Sequence, residues 1–370
     1  DLVGNRLTLT DTIQGVLGGT NTYSYDALDR MIRVTQASAT GSANATQDKR
    51  VDLVFNTLGQ FTTLSRFSDL AGTQAVAATS FTYDTLNRLT DLTHRDSANA
   101  KLNGFAFTYD ASSRITRITD IDGATDYSYD SRDQLTGANH ADAANPDETY
   151  AYDGTGNRTS SQRHGTGYAT GVGNRLTTDG TSTYEYDAEG NLVKQTTIAS
   201  GAVREFLWDH RNRLIRVTDR PDATAASSQV VEYTYDAMNR RVGKTIDGAA
   251  TYFIYDGNDV LVELTDIDST GPQPAVDSVR YLHGPAVDQV FAQEDAAGEV
   301  EWHLTDHLGT VRDLIDDTGA VVNHLKYDSF GNVISQSNSA IATRYQFTSR
   351  EFDAETGLHY FRARYYNTET

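Results

Sequence analysis

Three stretches carry residue types that could do chemistry. His303, Asp306 and His307 form a His-x-x-Asp-His cluster, which would converge on a metal ion if it lay on a helix. Leu308 and Gly309 follow at once and read as a hairpin turn, where that spacing does not converge, so a structural role is expected. Asp266 and Asp268, with Asp277 at the twelfth position, imitate a calcium loop. Thr270 stands where the fifth-position acid is usual and the flanks read as strands, which leaves an imperfect calcium candidate and no other metal or cofactor. Gly165, Gly167 and Gly171 have the flavour of a phosphate loop but lack the spacing, the Lys and the following helix. No Ser elbow or nucleophile-base pair stands at a recognisable spacing, and no residue is assigned a catalytic role.

The elements that would have to position these groups are copies of one phrase: an aromatic residue, an Asp, a three- or four-residue turn, Arg or Asn, and an aliphatic run. Copies stand at Tyr25-Asp26, Tyr83-Asp84, Tyr109-Asp110, Tyr129-Asp130, Tyr152-Asp153, Tyr186-Asp187, Trp208-Asp209, Tyr235-Asp236 and Tyr255-Asp256, with a degenerate one at Phe55-Asn56. The residues before each Asp alternate with a period of two, as in Phe105, Phe107 and Tyr109, which puts the aromatics on one face of a strand. The Asp can accept backbone N–H groups two residues on, and the Asn or Gly late in the turn tolerates positive φ. Each copy therefore reads as strand, tight turn, strand. After the turn the pattern blurs: Leu89 and Leu92, or Ile115 and Ile118, fall on opposite faces unless a bulge intervenes. The rows of Tyr could stack on a glycan, but cross-strand packing already requires them there.

A phrase recurring every few tens of residues predicts an array in which each unit packs on its neighbours, so the length of 370 residues does not count domains. Hydrophobic residues make up only 38% of the chain, which fits a single sheet layer wetted on both sides better than a solid sandwich. Tyr, with an apolar body and a polar tip, suits that surface. The net charge of −20 argues against nucleic acid or anionic membrane as a partner. There is no Cys, hence no disulfide and no Cys-based zinc site, and no apolar run reaches the ~18 residues of a membrane span.

Along the chain, Val3-Gly4-Asn5-Arg6-Leu7 reads as the second half of a copy whose aromatic-Asp half is missing, which predicts that the chain begins inside a repeat. Residues 1–265 are expected to form the hairpin array, and residues 266–370 a set of diverged repeats with a specialised C-terminal unit. In the latter, Asp306, Leu308, Gly309 and Arg312 belong to a new variant of the turn, and Tyr327-Asp328 returns to the old one. The stretch with Gly357, Leu358, Arg362, Arg364, Tyr365 and Tyr366 is the most aromatic and most basic of the chain.

With Thr305–Arg312, Tyr327–Asn332 and Gly357–Tyr366 following the Tyr-Asp turns in that order, the sequence resembles the RHS/YD-repeat family over essentially its whole length. The resemblance implies an all-β fold, an array of β-hairpins forming a single curved, spiralling sheet that is part or all of a hollow shell. It also implies an exported or cell-surface bacterial protein, non-enzymatic in itself, that encloses or displays a C-terminal toxin cargo. Partners would be that cargo or further repeats. Alternatives are an adhesin-like ribbon with a glycan or cell-surface partner, and an array that self-associates through its sheet edges into a larger spiral or filament. The family usually continues Arg-Tyr-Tyr into Asp-Pro, whereas Asn367 follows here, and its self-cleaving aspartyl site lies beyond the position of Thr370. No catalytic residue is carried over.

Overall fold

The computed structural model describes residues 1–13, 15–39, 41–42, 45–266 and 276–370. These residues form 32 strands and two single-turn 3-10 segments, with no α-helix among them. The chain divides into two compact units: unit 1 comprises Asp1–Asp122, Phe253–Thr265 and Pro274–Glu351, and unit 2 comprises Gly123–Tyr252, Asp266–Gln273 and Phe352–Thr370. Within each unit the large sheets are antiparallel meanders whose hydrogen-bonded neighbours are consecutive in the chain, and none closes into a barrel.

The turn explains why the phrase repeats. In the hairpin joining Val16–Tyr25 to Met31–Ser38, Asp26 Oδ1 accepts the N–H groups of Leu28 (2.9 Å) and Arg30 (3.0 Å), while Arg30 Nε donates to Asp26 Oδ2 (2.7 Å). The N–H of Asp29 reaches the Asp26 carbonyl at 3.1 Å, and this closes the bend by placing Asp29 at φ 60°. Asp, Asn, Ser and Gly alone occupy the equivalent position in the other copies, as Asn87, Ser113, Gly156 and Asn212. The same acid-to-backbone pattern recurs at Asp84, Asp110, Asp130, Asp153, Asp209, Asp236, Asp306 and Asp328, and Asn56 reproduces it with an amide oxygen. At Asp187 the N–H of Asn191 is the donor, at 2.8 Å. Asp295 and Asp316 carry the motif without an aromatic before them. The N–H donors hold the Asp84 and Asp110 carboxyls below their usual range. We expect Asp84→Ala to lower the thermal midpoint more than Asp84→Asn, because the amide oxygen keeps both backbone acceptances, as Asn56 does; scanning calorimetry of the two variants checks the order.

Hairpins of the Tyr-Asp phrase, such as those of Tyr25, Tyr83, Tyr109 and Tyr235, carry a bulge at the turn. Tyr83 pairs with Leu89 and Thr82 with Asp91, which leaves Thr90 unopposed. The extra residue brings Leu89, Leu92, Ile115 and Ile118 into one cluster with Phe81, Phe105 and Phe107, settling the face on which the second strand packs. Two corrections follow from the same geometry. Asp256 is not a turn acid: it ends the strand Ala249–Asp256, the turn is Gly257-Asn258 alone, and the Asp256 carboxylate pairs with Arg6. The opening segment does have its acid, since Asp1 Oδ1 accepts from the N–H groups of Val3 and Asn5.

Unit 1 is not wetted on both faces. Val34, Val51, Leu53, Leu64 and Val76 of the early hairpins share one core with Leu282, Phe291, Trp302, Leu304 and Ile315 of the late ones. Long polar bridges cross the same interface: Asp11 to Arg280, Lys49 to Glu294, Arg66 to the His303 carbonyl (3.0 Å), His94 to the Thr305 carbonyl (3.0 Å) and Asn103 to Asp313 (2.6 Å). Burial holds the imidazoles of His94 and His303 down to about 3, so both are neutral packing groups at physiological pH.

Candidate functional site

The aromatic rows serve the wall itself. In four copies the Tyr hydroxyl donates backwards to a carbonyl of the preceding hairpin: Tyr83 to Phe61 (2.9 Å), Tyr109 to Leu89 (2.6 Å), Tyr186 to Leu176 (2.8 Å) and Tyr235 to Leu214 (2.7 Å), with Trp208 Nε1 doing the same to Leu192 (2.7 Å). The turn Arg reaches forwards. Arg30 donates to the Asn56 carbonyl (3.2 Å) and lies over the Phe55 ring at 4.7 Å; Arg88 and Arg213 cover Tyr109 and Tyr235 at 4.6 and 4.8 Å. A hydroxyl one way and a guanidinium the other tie successive copies together.

The arrangement that differs from this wall lies in unit 2, where the C-terminal stretch packs on the hairpin Gln229–Tyr235 to Arg241–Ile246. The residue after the turn Arg or its equivalent is aliphatic in most copies, as Met31, Leu89, Ile115, Leu192 and Leu214. At the copy of Tyr235 it is Arg241, fully buried, whose guanidinium pairs with the equally buried Asp353. Three rings surround that guanidinium, Tyr360 at 4.3 Å, Tyr233 at 5.0 Å and Tyr365 at 5.9 Å. Lys244 adds a second cation to Asp353 (3.2 Å) and pairs with Glu355 (2.8 Å). The Tyr235 and Tyr365 hydroxyls meet at 2.9 Å, and burial pushes both phenols upward, Tyr235 to about 12.

The strands Leu358–Tyr360 and Tyr365–Asn367 close this unit as a short hairpin. Gly357 enters it at φ 69° and Arg362 turns it at φ 60°. Leu358 is buried in the adjoining core, Tyr366 packs near His359 and Phe361, and Arg364 is exposed. Beyond it, Glu369 is held by Arg163 (3.3 Å) and by His164 Nε2 at its carbonyl (3.1 Å). What the arrangement offers is anchorage: a buried charge pair in an aromatic cage joins the C-terminal stretch to the hairpin beneath it. Arg241, Lys244, Asp353 and Tyr233 escape a sequence reading; the available signal is the charge at a position where other copies carry an aliphatic side chain.

The remaining candidates sit apart from this anchor. In unit 1, Asp306 and Gly309 (φ 82°) form an ordinary turn of the repeat with Leu308 exposed at its tip. His303 lies buried on a strand and His307 packs edge-on to Phe107 at 4.7 Å, so the three residues do not converge. Arg312 instead reaches Asp120 and Asp122, both at 3.0 Å, in a network where His324 is clamped between Asp313 (2.6 Å) and Asp122 (3.1 Å). Burial alone would lower His324, but the hydrogen bonds and charges of Asp122 and Asp313 outweigh it and raise the imidazole from 6.5 to about 9. A raised cationic group contributes stability that is fully present below its ordinary value and lost as pH rises through about 9. Urea midpoints should therefore fall across that alkaline window, and His324→Gln should flatten the fall. Asp266 is half-buried, Asp268 lies outside the described residues together with the Asp277 side chain, and among the described residues no group of three acids or imidazoles could hold a metal. No helix among them is long and apolar enough to cross a membrane.

The Teneurin YD-shell family model matches residues 7–370. The chain is 27% identical over 379 aligned residues to the tRNA nuclease WapA of Bacillus subtilis, covering 98% of this chain but 14% of that protein. It is 29% identical over 251 residues to the toxin protein Tse5 of Pseudomonas aeruginosa, covering 60% of this chain and 19% of that one. Among solved structures it superposes on a TcdB2-TccC3-TEV crystal structure with a TM-score of 0.63 and 18% identity, covering 100% of this chain and 22% of the other. That likeness carries the fold alone.

Proposed function

Because the chain belongs to the Teneurin YD-shell family, we propose that it is a wall module of an exported toxin-type protein, and that it encloses or displays a polypeptide continuing from its C-terminal side. The module does no chemistry in this reading. The nuclease and toxin names of its relatives belong to proteins of which it spans 14% and 19%.

The buried Arg241–Asp353 pair carries this reading. Elsewhere one Tyr-Asp hairpin simply follows another. Residues Phe352–Thr370 instead fold back on the sheet of unit 2 and are fastened by a charge pair that is strongly unfavourable to break once buried. Such a fastening suits a segment that must stay attached to the wall under load. The net charge of −20 supports a basic or incompletely folded occupant held by many weak contacts. The test is to express the chain with a downstream reporter domain of marginal stability and to follow its digestion by proteinase K. Enclosure predicts digestion many-fold slower than for the free reporter; equal rates would refute enclosure by this module.

A further inference from the structure

Unit 1 buries a cluster that wall packing does not require. Lys49, Gln36, Thr46 and Glu294 are 1%, 3%, 1% and 3% exposed, beside the core that contains Val34, Val51, Ala292 and Trp302. Lys49 stands directly across from Gln36 on the paired strands Met31–Ser38 and Lys49–Phe55. Its Nζ lies 2.9 Å from Gln36 Oε1 and 3.1 Å from Thr46 Oγ1, and it contacts Glu294 Oε2. The Thr46 hydroxyl is 3.2 Å from Gln36 Oε1, and the Gln47 N–H donates to both Glu294 oxygens at 2.9 and 3.0 Å. A Lys ammonium has only donors, so the oxygen of Gln36, not its nitrogen, must face it.

These are the parts of an amide-forming site. The amine is desolvated: burial, the largest influence, pushes Lys49 below its ordinary value despite the attraction of Glu294. A carboxylate touches that amine and can take its proton. The Thr46 hydroxyl contacts Glu294 Oε2 and lies 3.2 Å from Gln36 Oε1, so once Glu294 is protonated it can turn to an oxyanion developing on Gln36. Groups held in such contact react as though at about 10⁵–10⁸ M, which is what an unactivated carboxamide needs.

We propose that Lys49 and Gln36 join through an intramolecular isopeptide bond, with Glu294 as the proton carrier and Thr46 as the oxyanion donor. Glu294 takes a proton from the Lys49 ammonium, Nζ attacks Gln36 Cδ, and Glu294 passes that proton to Nε2. Nζ then gives up a second proton, which the same carboxylate carries to Nε2 as the Cδ–Nε2 bond breaks. One C–N bond forms and one breaks, two protons pass from Nζ to the departing nitrogen so that the positive charge leaves as ammonium, Glu294 ends as it began, and no oxidant or activated co-reactant is needed. The product staples the two strands across the loop between residues 36 and 49, so a cut in that loop would not release either strand. The staple does not depend on whether the wall encloses a cargo.

The experiment is the mass of the full chain, purified folded, held at neutral pH and then denatured. The expected mass is that of the sequence less one ammonia, with a branched tryptic peptide joining the segments that contain Gln36 and Lys49. Lys49→Arg keeps a cation against Glu294 but provides no nucleophile at this pH, and should restore the full mass. Glu294→Gln should slow or abolish the loss. The wild-type measurement decides without relying on the folding of either variant. Full sequence mass with two separate linear peptides would overturn the proposal, as would loss of water with Lys49 joined to Glu294, or loss of ammonia mapped to any other residue.

Discussion

Replacing Arg241 by Met is expected to destabilise unit 2 by about 3–5 kcal/mol, because the buried Asp353 carboxylate then loses its buried guanidinium and keeps the more exposed Lys244 and the Tyr233 hydroxyl. Asp353→Ala should cost a similar amount, leaving a guanidinium among three rings that attract it but cannot neutralise it. The double variant Arg241→Met with Asp353→Leu should recover much of the loss, since apolar groups of similar volume satisfy the same space. Hydrogen exchange followed by mass spectrometry reads the effect where it matters. Peptides from Phe352–Thr370 should lose protection in the single variants before those of unit 1 do. Uniform loss, or none, would mean that the pair does not fasten the C-terminal stretch, and the observation on which the proposed function stands would fall with it.

The second large effect is expected at Trp302. Its ring is fully buried between the early and late hairpins of unit 1, and its Nε1 donates to Asp317 at 2.8 Å. Trp302→Ala removes the largest side chain of that core and also strips the Asp317 carboxylate of its indole donor, so a loss of about 3–5 kcal/mol is expected. Trp302→Phe should lose less, retaining most of the apolar contact while giving up the hydrogen bond. Denaturant unfolding of the three proteins orders them. If Trp302→Ala were as stable as the wild type, the two sets of hairpins would not depend on a shared core.

Both positions show why reading the chain succeeded in some places and failed in others. The turns were legible because their contacts are local: Asp26 binds Leu28 and Arg30, two and four residues on, and Asp29 takes positive φ for the same bend. Asp256 was misplaced because Tyr255-Asp256 copies the first two residues of the phrase, although the Gly that follows allows a shorter turn. The low apolar share pointed to a layer wetted on both sides, yet unit 1 has a filled core. Composition understated burial there because Lys49, Arg66 and His94 are buried along with the aliphatics, each bonded to the facing late hairpins, and Gln36 is buried against Lys49 on the next strand.

The repeat, its antiparallel hairpins and the acid at each bend were determined by the sequence by itself, because each depends on neighbours within a few residues and on the period of the side chains. The backward reach of the Tyr83, Tyr109, Tyr186 and Tyr235 hydroxyls, the bulge that reunites Leu89 with Leu92, the Arg241–Asp353 anchor and the Lys49–Gln36–Glu294 cluster were decided only by the tertiary structure. Apart from Leu89 and Leu92, whose facing depends on how two strands pair, the partners are 10 to 245 residues apart, and a hydrogen bond or a buried charge pair exists only once strand register and the facing of two layers bring both members within about 3 Å.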